Sequence, residues 1–243
     1  MTQKFLKLTS ACLILGFALQ GTALAQSAGA QTFGAESYPY ATEAQNLQRA
    51  NDHKKAIKEL KKGLKLDGLS AYEISTMYQM MGASYYARGK NDDTIEAFEN
   101  AIRAGGLSHK DKTDLQANIA QLHIAEENYA LGAQQLEAYF REGGPQKPSL
   151  VKMTVQAHLQ AKNREAAVPW AEVMMQQGLI QTRKDHELAI YLFDSPEKRF
   201  NQMQIANGLY RQYPTDPDVI ARIKRLNVKA QRDGVPVIAI AGQ

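Results

Sequence analysis

The apolar residues of this chain recur with the period of an α-helix. Within residues 75–90, Tyr78, Met81 and Tyr85 lie at positions i, i+3 and i+7, which places them on one face of a helix. Gly89 and the polar residues after it predict a turn, followed by the start of a second helix. The apolar stripe of this second helix consists of Ile95, Phe98, Ala101 and Ile102. The pattern therefore predicts two short helices joined by a turn.

Gly82 lies inside the first of these predicted helices. Glycine in a helix interior costs roughly 1 kcal/mol relative to alanine, so its presence needs a structural reason. We interpret Gly82 as the point where the second helix approaches closely. Two short antiparallel helices cannot bury both apolar stripes by themselves, so we expect the pair to stack on further pairs.

A turn motif repeats at a fixed spacing and indicates those further pairs. DGLS at residues 67–70 returns as GGLS at 105–108 and in part as GGP at 143–145, each copy 38 residues after the last. Self-similarity at a period of about 20–50 residues is typical of a solenoid of stacked units. Such stacks present extended surfaces to partners, which favours binding over catalysis as the function.

Residues 75–108 resemble the tetratricopeptide repeat (TPR), which has an aromatic, Leu-Gly and Tyr in its first helix and Ala, Phe and Ala in its second. The matching positions are Tyr78, Met81-Gly82, Tyr85, Thr94, Phe98 and Ala101, with Thr94 in place of the usual Ala. Positions that fit in the neighbouring copies are Ala44, Leu47, His53, Ala56 and Leu60 upstream, and Ile119, Ala120, His123, Tyr129, Gly132, Leu136, His158, Ala167, Ala171 and Met174 downstream. A degenerate fifth copy ends at Tyr213-Pro214, so the resemblance covers about residues 37–216.

The predicted fold is all-α, an α-solenoid of about five TPR-like helical hairpins with a C-terminal capping helix. The predicted repeats span residues 37–70, 75–108, 113–146, 148–181 and 183–216. The capping helix is expected at 217–232. We expect a small, polar, flexible lead-in at 26–36 and a short apolar tail at 233–243, which either caps the last helix or docks elsewhere.

The N-terminus predicts a secretory signal peptide over residues 1–25. Lys4 and Lys7 precede an apolar run at 11–19, and the small residues of Ala23-Leu24-Ala25 predict cleavage after Ala25. The run is shorter than the roughly 20 residues that span a bilayer. Cleavage would leave 218 residues and lower the formal net charge from +4 to +2. The resulting expectation is a soluble periplasmic protein without a transmembrane segment.

The only cysteine of the sequence, Cys12, lies within the predicted signal peptide. The mature chain would then contain neither disulfides nor cysteine-ligated zinc. A lipid-modified Cys12 is the alternative, but Thr9 occupies the position where a lipidation motif usually has Leu.

Two stretches are strongly basic. On the predicted helix that begins near His53, the lysines at 54, 55, 58, 61, 62 and 65 share one face, opposite Ile57, Leu60 and Leu64. A solvated outer face is the simpler interpretation, and a strip that makes weak contact with acidic surfaces or anionic headgroups is the alternative. The second stretch consists of Arg222, Lys224, Arg225, Lys229 and Arg232, for which we also favour solvation. Neither stretch predicts a nucleic-acid partner.

The sequence contains no recognisable catalytic, phosphate-binding or calcium-binding motif, so we predict no enzyme activity, catalytic residue or cofactor. Asp92-Asp93 is interpreted as a helix cap. His123 and His158 fill equivalent repeat positions; we favour hydrogen-bonded core residues over a metal site, since two histidines alone make a poor one. Trp170 is interpreted as a packing residue, with a partner anchor as the alternative.

The first helix of each pair is expected to line a concave, partner-binding face. The predicted site residues, which lie outside the packing stripes, are Gln79, Ala83, Tyr86, Ala117, Gln121, Ile124, Lys152, Gln156 and Leu159. The basic cluster that TPR proteins use for C-terminal carboxylates is missing from this mixed surface. It suits an extended or helical peptide segment of a protein partner better.

The sequences DDTIEAFENAI at 92–102 and LEAYF at 136–140 resemble periplasmic TPR proteins that accompany TonB-type systems. This resemblance implies a scaffold or adaptor in an envelope complex for outer-membrane uptake. The first alternative is a Tol-linked adaptor that coordinates cell-envelope synthesis and constriction. The alternative of another class is an envelope enzyme with an unrecognised site.

Overall fold

The computed structural model describes residues 32–241, so the predicted signal peptide, its cleavage point and Cys12 lie outside the described residues. In this range the regular structure consists of eleven α-helices and one short 3₁₀ helix, without a strand. The predicted all-α fold is therefore confirmed. None of these helices combines the length and apolar character needed to cross a membrane. The chain divides into two compact units. The first unit consists of the residues up to 125 together with residues 141–144, and the second consists of residues 126–140 together with the residues from 145 onward.

The first unit contains α1 (Tyr38–Arg49), α2 (His53–Gly63), α3 (Ala71–Ala87), α4 (Asn91–Arg103) and α5 (His109–Ala125). Polar side chains and glycines determine where these helices begin and end. The Ser70 hydroxyl accepts from the backbone N–H of Glu73 at 3.3 Å, and the Glu73 carboxylate accepts from the backbone N–H of Ser70 at 2.7 Å. This reciprocal capping box starts α3. Gly89, with φ of +67°, provides the predicted turn between α3 and α4.

Buried apolar side chains from consecutive helices form the core of the first unit. Ala44, Leu60 and Met77 are 0 % exposed in the cluster of α1, α2 and α3. Where α3 meets α4, a Cβ atom added to Gly82 would lie 2.3 Å from Cε1 of Phe98. The interpretation of Gly82 as a point of close helix approach is thus confirmed, because alanine there would overlap the Phe98 ring.

The buried carboxylate of Glu73 ties the N-terminal part of the described chain to α3. Its Oε1 accepts hydrogen bonds from the Gly34 N–H, at 2.9 Å, and from the Ser37 hydroxyl. Its Oε2 accepts from the Ser70 hydroxyl at 2.6 Å. One side chain therefore joins the start of α3 to a segment almost 40 residues earlier.

Phe33 strengthens this attachment through an edge-to-face contact with Tyr72, with ring centroids 5.8 Å apart. The prediction of a flexible lead-in extending to Glu36 is therefore wrong for Phe33 and Gly34. The small, polar composition of residues 26–36 gave no sign of this attachment, because the carboxylate that holds the segment belongs to Glu73 on α3. Residues 26–31 of the predicted lead-in lie outside the described part of the chain.

Acid is expected to weaken the Glu73 attachment. Burial alone would raise the pKa of Glu73, but hydrogen bonds from Ser37, Ser70 and Gly34 lower it from 4.5 to about 2. Because the pKa is lower in the folded chain, the contribution of Glu73 to stability is complete above pH 4.5 and disappears as the pH falls towards 2. In urea unfolding, the stability difference between wild type and Glu73→Gln should shrink over this range.

Glu96→Gln, at an exposed position of α4, is the matched control for this prediction. It should stay within about 0.5 kcal/mol of wild type at every pH, because surface substitutions have small effects. A stability difference for Glu73→Gln that is constant across the acid range would show that the ionised carboxylate does not hold the segment.

The second unit contains α6 (Tyr129–Arg141) apart from its last residue, α7 (Pro148–Gln160), α8 (Arg164–Gln176), α9 (Arg183–Leu192), a 3₁₀ helix (Pro196–Lys198), α10 (Arg199–Gln212) and α11 (Pro217–Arg232). One continuous cluster forms its core, in which Phe193, Leu209 and Ile223 are 0 % exposed. On α11, the apolar stripe of Val219, Ile223 and Leu226 faces this core while charged residues cover the rest of the helix.

The C-terminal tail packs on the last two helices of this unit. The Asn227 side chain of α11 exchanges two hydrogen bonds with the backbone of Ile238, at 2.8 and 2.9 Å. Ile238 is buried, and the Ala241 N–H donates to the Tyr210 hydroxyl at 3.0 Å. Of the two alternatives for the tail, residues 235–241 therefore follow the first and cap α11, without forming a strand.

A buried arginine joins α10 to the ends of α9 and α11. Arg199 is 2 % exposed and donates from Nε to Asp233 at 2.7 Å and from Nη1 to Asp194 at 2.7 Å and to the Gln202 side chain. Lys229 adds a second cation at 2.8 Å from Asp194. The sequence analysis assigned no role to Arg199: Asp194 and Gln202 lie within five residues of it, but Asp233 is 34 residues away along the chain.

Candidate protein-binding surfaces

The predicted site residues on α3 form a narrow strip. α3 packs against both α2 and α4, so little of its surface remains accessible. Gln79, Ala83 and Tyr86 are half-buried and spaced at i, i+4 and i+7, which aligns them along one face. The Tyr86 ring also packs against the apolar cluster that contains Phe98, so only part of it faces outward. This α3 strip presents an amide, a methyl group and an aromatic ring, which together can hydrogen-bond and pack against a polypeptide segment.

The predicted residues of α5 are only partly accessible. Gln121 and Ile124 are half-buried, whereas Ala117 is buried, with 8 % exposed. The prediction that Ala117 lines an open surface is therefore wrong. Its position borders the packing face of α5, and a methyl group is too short to reach solvent past larger neighbours.

In the second unit, Lys152 supplies the charge that was predicted for the partner-binding face, and an ion pair neutralises it. The ammonium group of Lys152 lies 2.9 Å from Asp185, a residue at the start of α9. Burial alone would raise the pKa of Asp185, but hydrogen bonds from Thr182 and Lys152 lower it below its usual range. Lys152 therefore links α7 to α9 rather than offering a free charge to a partner. Of the other two predicted residues on α7, Gln156 is exposed and Leu159 packs against the core.

The histidines and the tryptophan singled out in the sequence contact other side chains of the fold to different extents. His158 is buried, with Nε2 located 2.9 Å from Glu137, and Trp170 packs on Phe140 with ring centroids 4.7 Å apart. Both residues thus pack as predicted. His123 lies in the first unit, and its buried Nδ1 has no hydrogen-bond partner among the described residues. Within residues 32–241, no three His, Cys, Asp or Glu side chains are grouped to hold a metal ion.

Asp92 and Asp93 are exposed in the first turn of α4. The residue at the N-cap position is Lys90, and no side chain makes a capping hydrogen bond there. The two aspartates thus lie at a helix start as predicted, and they favour the helix dipole through their charge rather than through a capping hydrogen bond.

A basic groove lies between α2 and the C-terminal end of α3. It is an open concavity of about 500 Å³, lined by Ile57, Tyr85, Arg88 and the lysines at 54, 58, 61, 62 and 65. Lys61 Nζ lies 5.9 Å from the centroid of the Tyr85 ring. Sequence reasoning found the lysines but missed Arg88 and placed Tyr85 only in the packing stripe. The spacing of Tyr85 and Arg88 at i and i+3 on α3 was the available signal.

The second basic stretch, on α11, differs from this groove. Arg222, Lys229 and Arg232 are paired with carboxylates, whereas Lys224 and Arg225 are exposed without an ion pair among the described residues. The interpretation of the stretch as solvated therefore holds for Lys224, Arg225 and Arg232, whose side chain is 69% exposed, whereas Arg222 and Lys229 are partly covered and paired.

The fold is similar to that of solved TPR structures. The superposition on YrrB, described as a TPR protein with an unusual peptide-binding site, has a TM-score of 0.51 at 17% identity and covers 78% of this chain and 92% of that one. MamA from Desulfovibrio magneticus RS-1 gives a TM-score of 0.46 at 11% identity, covering 83% of this chain and 98% of that chain. PilF from Pseudomonas aeruginosa gives 0.41 at 15% identity, covering 78% and 97%. No protein-family model and no curated protein sequence matches the chain.

At these identities the likeness concerns the fold, and we base it on the YrrB superposition. The described residues thus have the TPR type of α-solenoid fold.

Proposed function

We propose that this protein is a periplasmic scaffold that binds polypeptide segments of partners in an envelope complex. The α3 strip carries the proposal. Because α3 is packed on two sides, Gln79, Ala83 and Tyr86 are held by neighbouring helices rather than by a mobile loop. A rigid strip with hydrogen-bonding and aromatic groups binds a segment at low entropic cost. YrrB, with the same type of fold, is described as having a peptide-binding site.

The proposed periplasmic location rests on the predicted signal peptide, and the proposed pathway of outer-membrane uptake rests on sequence resemblance. We propose a TonB-linked complex for outer-membrane uptake as the setting, since residues 92–102 and 136–140 resemble periplasmic TPR proteins of such systems. A Tol-linked adaptor is the second candidate.

The experiment is a binding measurement on the chain without residues 1–25. Immobilised periplasmic domains of TonB-type and Tol-type proteins from the same cell are titrated with it. Saturable binding to the TonB-type domain alone supports the first pathway, and binding to the Tol-type domain alone replaces it with the second. Binding to neither, together with hydrolase or transferase activity that persists through purification, would favour the enzyme alternative. Amino-terminal sequencing of the protein from a periplasmic extract tests the cleavage after Ala25.

Tyr86→Ala is expected to weaken binding to the responding domain by about tenfold, since aromatic contacts dominate many interfaces. Far-UV circular dichroism should show unchanged helicity, because Tyr86 is only half-buried.

The matched control is Tyr38→Ala, which removes an exposed tyrosine from the N-terminal end of α1. Since successive helices of hairpins run antiparallel, this end lies away from the C-terminal end of α3. Equal loss of affinity in both variants, or no loss for Tyr86→Ala, would exclude the α3 strip as the binding surface.

A further inference from the structure

We propose that the basic groove is a second binding site, which takes an acidic segment of a protein partner rich in Asp and Glu. This proposal concerns a different surface from the α3 strip and holds whichever pathway the protein serves.

The groove contains an unusual concentration of unpaired positive charge. No carboxylate of the described residues lies within 4.0 Å of the charged groups of Lys54, Lys58, Lys61, Lys65 or Arg88. Lys62, which also lines the groove, is paired with Glu59 at 2.7 Å, and Lys55 nearby is paired with Asp52 at 2.7 Å. Several cations around one concavity focus a positive potential, which attracts a segment of opposite charge and speeds its association.

Helix stability does not account for all of this charge. Cations at the C-terminal end of a helix are favourable, which explains Lys61 and the position of Arg88 after α3. Lys54, however, lies in the first turn of α2, where the helix dipole favours acids and where the neighbouring acid, the N-cap Asp52, pairs with Lys55 instead. Its charge therefore opposes helix stability, which favours a role in binding.

The groove suits a polypeptide better than a membrane. Helices that lie on bilayers present large apolar side chains beside their lysines for insertion. On α2 these groups face inward: Ile57 is 6 % exposed and Leu60 is 0 % exposed. The half-buried Tyr85 ring contributes an apolar surface inside the concavity, where a side chain between acidic residues can pack. A flat layer of headgroups would not reach that ring.

The test uses fluorescence anisotropy of a fluorescein-labelled peptide made of repeated Asp-Glu-Leu triplets. The chain without residues 1–25 should bind it, bind a Ser-Gln-Leu analogue at least tenfold more weakly, and lose affinity as salt is raised. Lys58→Gln/Lys61→Gln should weaken binding by about tenfold. The matched control, Lys224→Gln/Arg225→Gln, removes the same charge from exposed positions of α11 and should bind like the wild type.

Three results would overturn the proposal. The first is equal weakening by both double variants, which would mean that net charge alone attracts the peptide. The second is absence of saturable binding by the wild type. The third is binding to vesicles that contain phosphatidylglycerol without binding to the peptide, which would identify the groove as a lipid-headgroup site. None of these measurements involves Tyr86 or the TonB-type and Tol-type domains, so failure here is distinct from failure of the proposed function.

Discussion

Gly106→Ala is expected to destabilise the first unit by about 3 kcal/mol or more, because this position has no room for a methyl group. A Cβ atom there would lie 2.2 Å from the backbone carbonyl of Ala71 and from the amide nitrogen of Tyr72. Backbone atoms at a helix start cannot move aside as a flexible side chain can. The clash would also strain the hydrogen bond from the Gly106 N–H to the Ser75 hydroxyl, 2.9 Å long and buried.

Gly105→Ala is the matched control for this prediction. Gly105 has φ of +77° with nothing within 4 Å of an added Cβ, so alanine there meets conformational strain of about 1–2 kcal/mol but no clash. Urea unfolding followed by circular dichroism gives the stabilities. Hydrogen exchange in α3 and α4 should localise the loss to the first unit. If Gly106→Ala lowers the free energy of unfolding no more than Gly105→Ala does, this turn does not approach α3 as closely as the structure shows.

Arg199→Met should cost about 3 kcal/mol in the second unit, the lower end of the range for breaking a buried ion pair, because each carboxylate keeps a second cation. Asp233 would keep only Arg232 at 3.0 Å, and Asp194 would keep only Lys229 at 2.8 Å. Burial would by itself raise the pKa of Asp194, but hydrogen bonds from Arg199 and Lys229 lower it to about 2. Without Arg199, we expect that pKa to rise and the acid sensitivity of unfolding to change accordingly.

The fluorescence of Trp170, which lies in the second unit and is the only tryptophan of the sequence, follows this unfolding directly. Arg211→Met, at an exposed position of the same helix, should change stability by less than about 0.5 kcal/mol. Arg199→Lys should recover part of the loss, since it keeps the charge but not the paired donors. Equal stability of Arg199→Met and Arg211→Met would show that the cluster does not hold α10 to its neighbours.

The helices were predictable from the sequence because their signals are local. The stripe of Tyr78, Met81 and Tyr85 and the glycine at 89 concern residues within one or two turns of one another. Gly82 was informative for the same reason: a glycine in a helix interior points to a close neighbour. Phe98 in the next helix proved to be that neighbour.

The errors concern residues whose surroundings come from distant segments. Periodicity placed Lys152 on the predicted concave, partner-binding face, but it could not reveal Asp185 at 2.9 Å. It placed Ala117 beside Gln121 without indicating how deeply each is covered. The polar segment that ends at Glu36 looked unattached, because its anchor, Glu73, lies on α3 and is 39 residues from Gly34 along the chain.

The amino-acid sequence alone determined the all-helical class and the pairing of short helices. The apolar periodicity, the turn glycines and the helix caps depend on residues that are close together in the chain, so they can be recognised from the sequence alone. The tertiary structure alone decided which charges are neutralised and which remain free. An ion pair depends on separations of a few ångströms between groups that can lie more than 30 residues apart, as with Arg199 and Asp233. The basic groove follows the same rule, since Arg88 and Tyr85 join the lysines of α2 only after the helices have packed.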